Sequence, residues 1–248
     1  MFEKQLVTKE IVQFEGFESH VFIPINVENP AFALWFCGGS WLTTNPQEFY
    51  RPSNLLAKSG VLSVSADYPS LDTRKYTWKN LYEYLKSLRE FLIEKYNVNQ
   101  NKTSIGGSSA GGQLAAMLSI ETNPTTTILF NSVLNMQHLK RTKMKKMGQF
   151  LFNNFNIPKG ELKAISPIHN IDENCSPTLI LMGNRDRYIP VEHAYEYQSK
   201  MKDKCEVKIY DWEHHSFKTD FSYIKDLERF YLKHKFLDKP LQSHSSLL

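Results

Sequence analysis

Between residues 31 and 236, short apolar runs alternate with stretches in which apolar residues return every three or four positions. Residues 31–37 (AFALWFC), 61–68 (VLSVSADY), 125–131 (TTTILFN) and 176–183 (SPTLILMG) are continuous runs of strand length, as strands covered on both faces should be. KTSIGG (102–107) reads as a strand running into a Gly-rich turn, and CEVKIYD (205–211) as the last strand. Ahead of them, 5–12 and 18–25 flank Gly16 and read as a meander. A helix is expected to open at Asn45-Pro46, with Glu48 behind the proline, and to end near Gly60. Trp78, Leu81, Leu85, Leu88 and Leu92 mark an amphipathic helix over 75–95, and 110–120 is helical. Pro190 opens a helix to about Met201, and 217–236 closes the alternation with Phe221, Ile224, Leu227 and Tyr231 on one face. Such alternation specifies an α/β fold: a mostly parallel twisted sheet with helices on both faces. Only 132–175 breaks the rhythm. It reads as a short cap insertion over the sheet edge where ligands bind, within one domain spanning 1–238, and 239–248 reads as a frayed tail.

A chain of 248 residues can bury roughly three-quarters of its unfolded surface, enough for a core without staples. Its three cysteines, Cys37, Cys175 and Cys205, are odd in number and lack Cys-x-x-Cys spacing, which argues against a disulfide framework or a thiolate zinc site. With no apolar run of membrane-spanning length and no signal-like N-terminus, the expected compartment is the cytoplasm. The net charge of +4 is local: Lys140, Arg141, Lys143, Lys145 and Lys146 carry +5, leaving −1 elsewhere. That run is a solvated helix face or, alternatively, a patch for an acidic partner or an anionic membrane surface. No nucleic-acid motif accompanies it, and no nucleic-acid or integral membrane partner is expected.

Candidate chemistry begins where the strand at 102–107 meets the next helix. Gly107-Ser108-Ser109-Ala110-Gly111 satisfies G-x-S-x-G, with Ser109 centred between the glycines. The demand is mechanical: a nucleophile on a strained strand-to-helix turn leaves no room for side chains two residues either side. The plainer alternative is a turn that merely lets strand pack on helix. A serine needs a base, and the base an acid to orient it. Asp186 follows an apolar strand, and the pair His214 and His215 follows the last one, in the chain order such sites use. Turn-forming or satisfied roles are the alternatives for both. Cys37-Gly38-Gly39-Ser40-Trp41 also follows a buried strand, as a loop offering free N–H groups to an oxyanion would.

Together, CGGSW (37–41), ADYPS (66–70), IGGSSAGG (105–112), AISPIH (164–169), SPTLILMGNRDRYIP (176–190) and YDWEHHSF (210–217) resemble a small serine esterase of the α/β-hydrolase superfamily. The likeness is to the hormone-sensitive-lipase-like and feruloyl-esterase-like group, of acetyl esterase type, and it spans residues 31–236. It implies Ser109 as nucleophile, Asp186 as acid and His215, followed by Ser216 and Phe217, as base in preference to His214. It also implies Gly39, Ser40 and Ala110 as oxyanion-hole donors. Three positions depart from the pattern: Cys37 stands where His is usual, Ser40 where a third glycine is, and Ser108 where an acidic residue often precedes the nucleophile.

The reading is therefore a hydrolase of small carboxylic esters acting through an acyl-enzyme. An amidase or kynurenine-formamidase-like hydrolase, or a non-catalytic ligand-binding relative, is the alternative. No metal or other cofactor is expected, since no His-Glu-x-x-His or dense carboxylate set occurs. Oligomeric state is left open, a homodimer included. Trp41, Phe152 and Phe155 are candidate substrate-binding residues, the phenylalanines because the insertion carries more apolar groups than a solvated loop should. Packing of the insertion on the core is the competing explanation for them.

Overall fold

A computed structural model describes residues 6–71, 76–140, 161–213 and 216–242. Among them, β1 (Val7–Phe14), β2 (Phe17–Pro24), β3 (Ala31–Phe36), β4 (Val61–Ala66), β5 (Thr103–Ser108), β6 (Thr126–Phe130), β7 (Thr178–Arg185) and β8 (Cys205–Glu213) form one sheet. Its order is β1-β2-β4-β3-β5-β6-β7-β8. The hairpin β1–β2 is antiparallel, β2 pairs antiparallel with β4, and every pairing from β4 to β8 is parallel. All residues of β4, β5 and β6 are buried, as their unbroken apolar or small-residue runs require of strands covered on both faces. The covering helices are α1 (Tyr50–Ala57), α2 (Trp78–Tyr96), α3 (Ser109–Thr122), α4 (Pro167–Asn170), α5 (Glu192–Met201) and α6 (Ile224–Lys233).

Two expected helices are broken, each for a local reason. The stretch 45–60 divides into a 3-10 turn, Pro46–Phe49, and α1. Pro52 lacks an N–H, and its ring would strike the carbonyl of residue 48 in a continuous helix. The stretch 217–236 divides into a 3-10 turn, Ser216–Lys218, and α6. Between them the Asp220 carboxylate accepts the Ser222 N–H at 2.9 Å and the Trp212 indole N–H at 2.5 Å, a local alternative to helical bonding.

The ends of the insertion belong to the body of the domain: Leu134 and Met136 on one side, Leu162 and Ile165 on the other, are buried in the core. Its middle, 141–160, lies outside the described residues. The tail expected to fray from 239 is tied down as far as the structure describes it, because Leu241 is buried and its N–H reaches the Glu228 carboxylate at 2.7 Å. The Gln242 N–H reaches the Ser59 hydroxyl at 3.1 Å.

Candidate active site

Ser109 sits where β5 ends and α3 begins, 8% exposed and at a φ of +51°. A non-glycine residue held there stores strain that surrounding structure must impose. The glycines show what imposes it. A Cβ on Gly107 would lie 2.5 Å from the Gly111 carbonyl oxygen, and one on Gly111 would overlap the carbonyls of Phe36 and Cys37. Strand, turn and helix approach backbone to backbone, and the serine is carried at the apex. Its carbonyl accepts the Val133 N–H at 3.2 Å, which ties the elbow to the segment after β6. Ala110 lies in the first turn of α3, where N–H groups have no partner within the helix.

β3 delivers the second loop beside this elbow. Gly39 adopts a φ of +142°, and a Cβ there would overlap the Thr43 carbonyl. Ser40 and Trp41 follow at +56° and +60°, so three consecutive residues turn the backbone sharply at the end of a buried strand. The Gly39 carbonyl accepts the N–H groups of Leu42 at 2.9 Å and Thr43 at 3.1 Å. Cys37 is wholly buried with its sulfur accepting the Asn45 N–H at 3.0 Å. Burial, and then the negative charge of Glu48, push its thiol up to about 12, so it is no reactive thiolate. Trp41 is enclosed, and its indole N–H donates to the Gln113 side-chain oxygen at 3.0 Å. The Gln113 amide donates in turn to the Tyr82 hydroxyl at 2.5 Å and the Ile165 carbonyl at 2.7 Å. Here Trp41 anchors the loop to α3.

Asp186 stands just beyond β7. One carboxylate oxygen accepts the N–H groups of Tyr188 at 2.8 Å and Ile189 at 3.0 Å, and the other accepts the Asn131 side-chain N–H at 2.5 Å. Asn131 follows the last residue of β6 and was not singled out by sequence. Its side-chain oxygen accepts the Gly183 N–H at 3.1 Å, so it joins β6 to β7 as it holds Asp186. His214 and His215 fall between β8 and the 3-10 turn at 216–218, outside the described residues, as do Phe152 and Phe155. Ser109, Gly39, Ser40, Ala110 and Asp186 are thus carried at the C-terminal ends of β3, β5 and β7. In a parallel sheet that edge is the ligand crevice. A strained hydroxyl, a neighbouring loop of turned-out backbone and an ordered carboxylate can support nucleophilic acyl transfer once a base is supplied.

No described helix is long and apolar enough to cross a membrane.

Residues 72–243 match the model of the prolyl oligopeptidase family. An acetylxylan esterase of Xylanibacter ruminicola is 26% identical over 208 residues, covering 79% of this chain and 42% of that protein. The chain therefore spans less than half the length of this curated relative. Esterase 2 of Thermogutta terrifontis, in its form phosphonylated by sarin, superposes with a TM-score of 0.76 at 20% identity, over 95% of this chain and 96% of that one. Carboxyl esterase 2 of Tuber melanosporum does so with a TM-score of 0.73 at 19% identity, over 94% and 87%. These structural likenesses establish the α/β-hydrolase fold.

Proposed function

The chain belongs to the prolyl oligopeptidase family, and on that premise we propose that it hydrolyses small carboxylic esters through an acyl-enzyme formed on Ser109. The observation that carries the reading is the left-handed elbow of Ser109 between β5 and α3. In this reading the Ser109 hydroxyl oxygen attacks the ester carbonyl as His215 takes the hydroxyl proton. The N–H groups of Gly39, Ser40 and Ala110 receive the oxyanion. Collapse expels the alcohol, which leaves with the proton from His215, and water deacylates the enzyme by the same route. Asp186 fixes the imidazole tautomer. Acetyl esters are the first substrates to try, since the curated relative is an acetylxylan esterase. The family's name is that of a peptidase, so amide cleavage is the second reading, and the ratio of acetate ester to acetanilide turnover separates the two. The three buried free thiols fit a reducing compartment.

A fluorophosphonate probe is expected to label the wild type and not Ser109→Ala, with hydrolysis of p-nitrophenyl acetate lost and the thermal midpoint nearly unchanged. His215→Ala should be as damaging, since such groups act as a unit, while His214→Ala should keep appreciable activity. Activity should rise with pH through an apparent pKa on the order of 6–7, because the base must be neutral to accept the serine proton. If Phe152 and Phe155 wall the acyl pocket, replacing either by Ala should shift the chain-length profile more than the stability. Labelling that survives in Ser109→Ala would overturn the nucleophile assignment.

A further inference from the structure

Glu48 is an acidic residue that the catalytic scheme does not use, yet its side chain is only 2% exposed. One carboxylate oxygen accepts the hydroxyl of Ser108, the residue immediately before the nucleophile, and the Gly38 N–H at 3.4 Å, in the oxyanion loop immediately before Gly39. The other oxygen lies 3.0 Å from the Lys218 ammonium, in the 3-10 turn that follows the histidine pair. Three segments far apart in sequence, after β3, at the end of β5 and in the turn after β8, therefore meet on one side chain.

Ser108 supplies an independent observation. It occupies the N-cap position of α3, where serine ordinarily caps the helix by accepting a backbone N–H, but its side chain makes no such bond. The Ser108 hydroxyl is directed to Glu48 instead. A capping hydroxyl that would stabilise the helix is thus given up for a contact between segments. Burying a carboxylate is costly unless it is paired and hydrogen-bonded, and Lys218, Ser108 and Gly38 meet that requirement.

We infer that Glu48 is a positioning residue, whose carboxylate holds the oxyanion loop and the nucleophile elbow in register with each other and with the turn after the histidines. This rests on the serine-hydrolase reading above. Lys218 matters to it, because an unneutralised carboxylate behind the hole would oppose the developing oxyanion. The bond from Ser108 places that carboxylate beside the nucleophile although residue 108 itself carries none.

The test measures kcat and KM for p-nitrophenyl acetate per active site, counted by fluorophosphonate labelling, beside thermal stability. Glu48→Ala should lower kcat per labelled site by about 10- to 100-fold, the scale of a small misplacement of reacting groups, with KM changed by less than about threefold. Inhibition by a boronic acid, which forms a tetrahedral adduct on the serine, should weaken by a similar factor. Glu48→Gln keeps an acceptor for Ser108 and Gly38 but turns an amide N–H2 towards Lys218, and should recover part of the loss. Ser108→Ala should fall between, and the double variant should be no worse than Glu48→Ala, since both remove one interaction. A kcat per labelled site at the wild-type level in Glu48→Ala, with only the melting temperature lowered, would overturn the inference. If Glu48→Ala yields no folded protein, Ser108→Ala decides by the same criterion. A wild type that neither labels nor turns over would instead bring down the hydrolase reading itself, and this one with it.

Discussion

Asn131 combines a left-handed backbone, φ +40°, with two side-chain bonds that no other residue type could make together in the same place. Its amide nitrogen donates to Asp186 and its amide oxygen accepts from Gly183, so it needs both a donor and an acceptor on one short side chain. Asn131→Ala should cost about 2–3 kcal/mol, from the lost bonds and the strain of alanine at positive φ. It should also lower kcat about tenfold at nearly constant KM, because Asp186, the acid of the proposed scheme, loses one of its fixed partners. Urea denaturation with steady-state kinetics on the same variant checks both, and unaltered kcat would show that the partners other than Asn131 suffice to hold Asp186. Ser109 and its glycines were legible in sequence because a backbone-to-backbone approach admits only small residues, and smallness shows in the letters. Asn131 and Glu48 were not, because an Asn after an apolar run reads as a turn residue and a Glu behind a Pro as a helix start. What makes each of them matter is a partner ten to 170 residues away.

Helix α3 shows the same division one level up. Every residue from Ser109 to Ala116 is buried, so it has no polar stripe, and only the elbow before it marks it as a helix rather than another buried run. By contrast α2 could be read directly from the spacing of Trp78, Leu81, Leu85, Leu88 and Leu92, all buried on one side of it. The breaks before α1 and α6 lay in single residues, Pro52 and Asp220, which a periodicity count passes over. Within α3, Gln113 satisfies three polar groups at once, two buried ones from the loop after β3 and the chain before α4, and the half-buried Tyr82 hydroxyl of α2. Gln113→Met keeps the volume but removes all three bonds, and each buried group left unmet costs about 1–3 kcal/mol. The expected loss is about 2–4 kcal/mol after relaxation, read as a fall in the urea midpoint. The Trp41 fluorescence environment should change in the folded protein. A midpoint within error of the wild type would mean that water or rearrangement meets those groups, and that α3 does not hold the loop through Gln113.

Across the whole molecule, alternation of strand and helix foretold a parallel sheet, but not that β4 would lie between β2 and β3, because strand order depends on which side each crossover takes. The elements that carry the site are joined behind it by a buried histidine. His193, in α5 just past the Asp186 loop, is 1% exposed, and its Nδ1 accepts the N–H groups of Leu134 at 3.1 Å and Asn135 at 3.2 Å. These two residues continue the segment whose Val133 bonds the Ser109 carbonyl, so one imidazole ties the Asp186 side of the sheet to the Ser109 side. A proton on Nδ1 would set a donor against two donors. Burial, and then the neighbouring His138, push the His193 pKa down to about 3, with Asp186 opposing weakly. Unfolded, the same ring titrates near 6.5. Between those values the unfolded chain binds the proton that the folded one refuses, so the folded state's advantage is complete above about pH 6.5 and declines on acidification towards pH 3. The slope from this group alone approaches 1.4 kcal/mol per pH unit, to order of magnitude. His193→Asn places an amide oxygen near the position of Nδ1 and cannot titrate. It should be less stable than the wild type at pH 8, from the cavity it leaves, but lose stability less steeply between pH 6.5 and 4, by nearly one proton. Urea unfolding at a series of pH values measures that difference, in which the acid-labile groups common to both proteins cancel. Parallel curves for the two proteins would show that His193 takes its proton in the folded state, and that the tie between the two halves of the site is not what acid breaks.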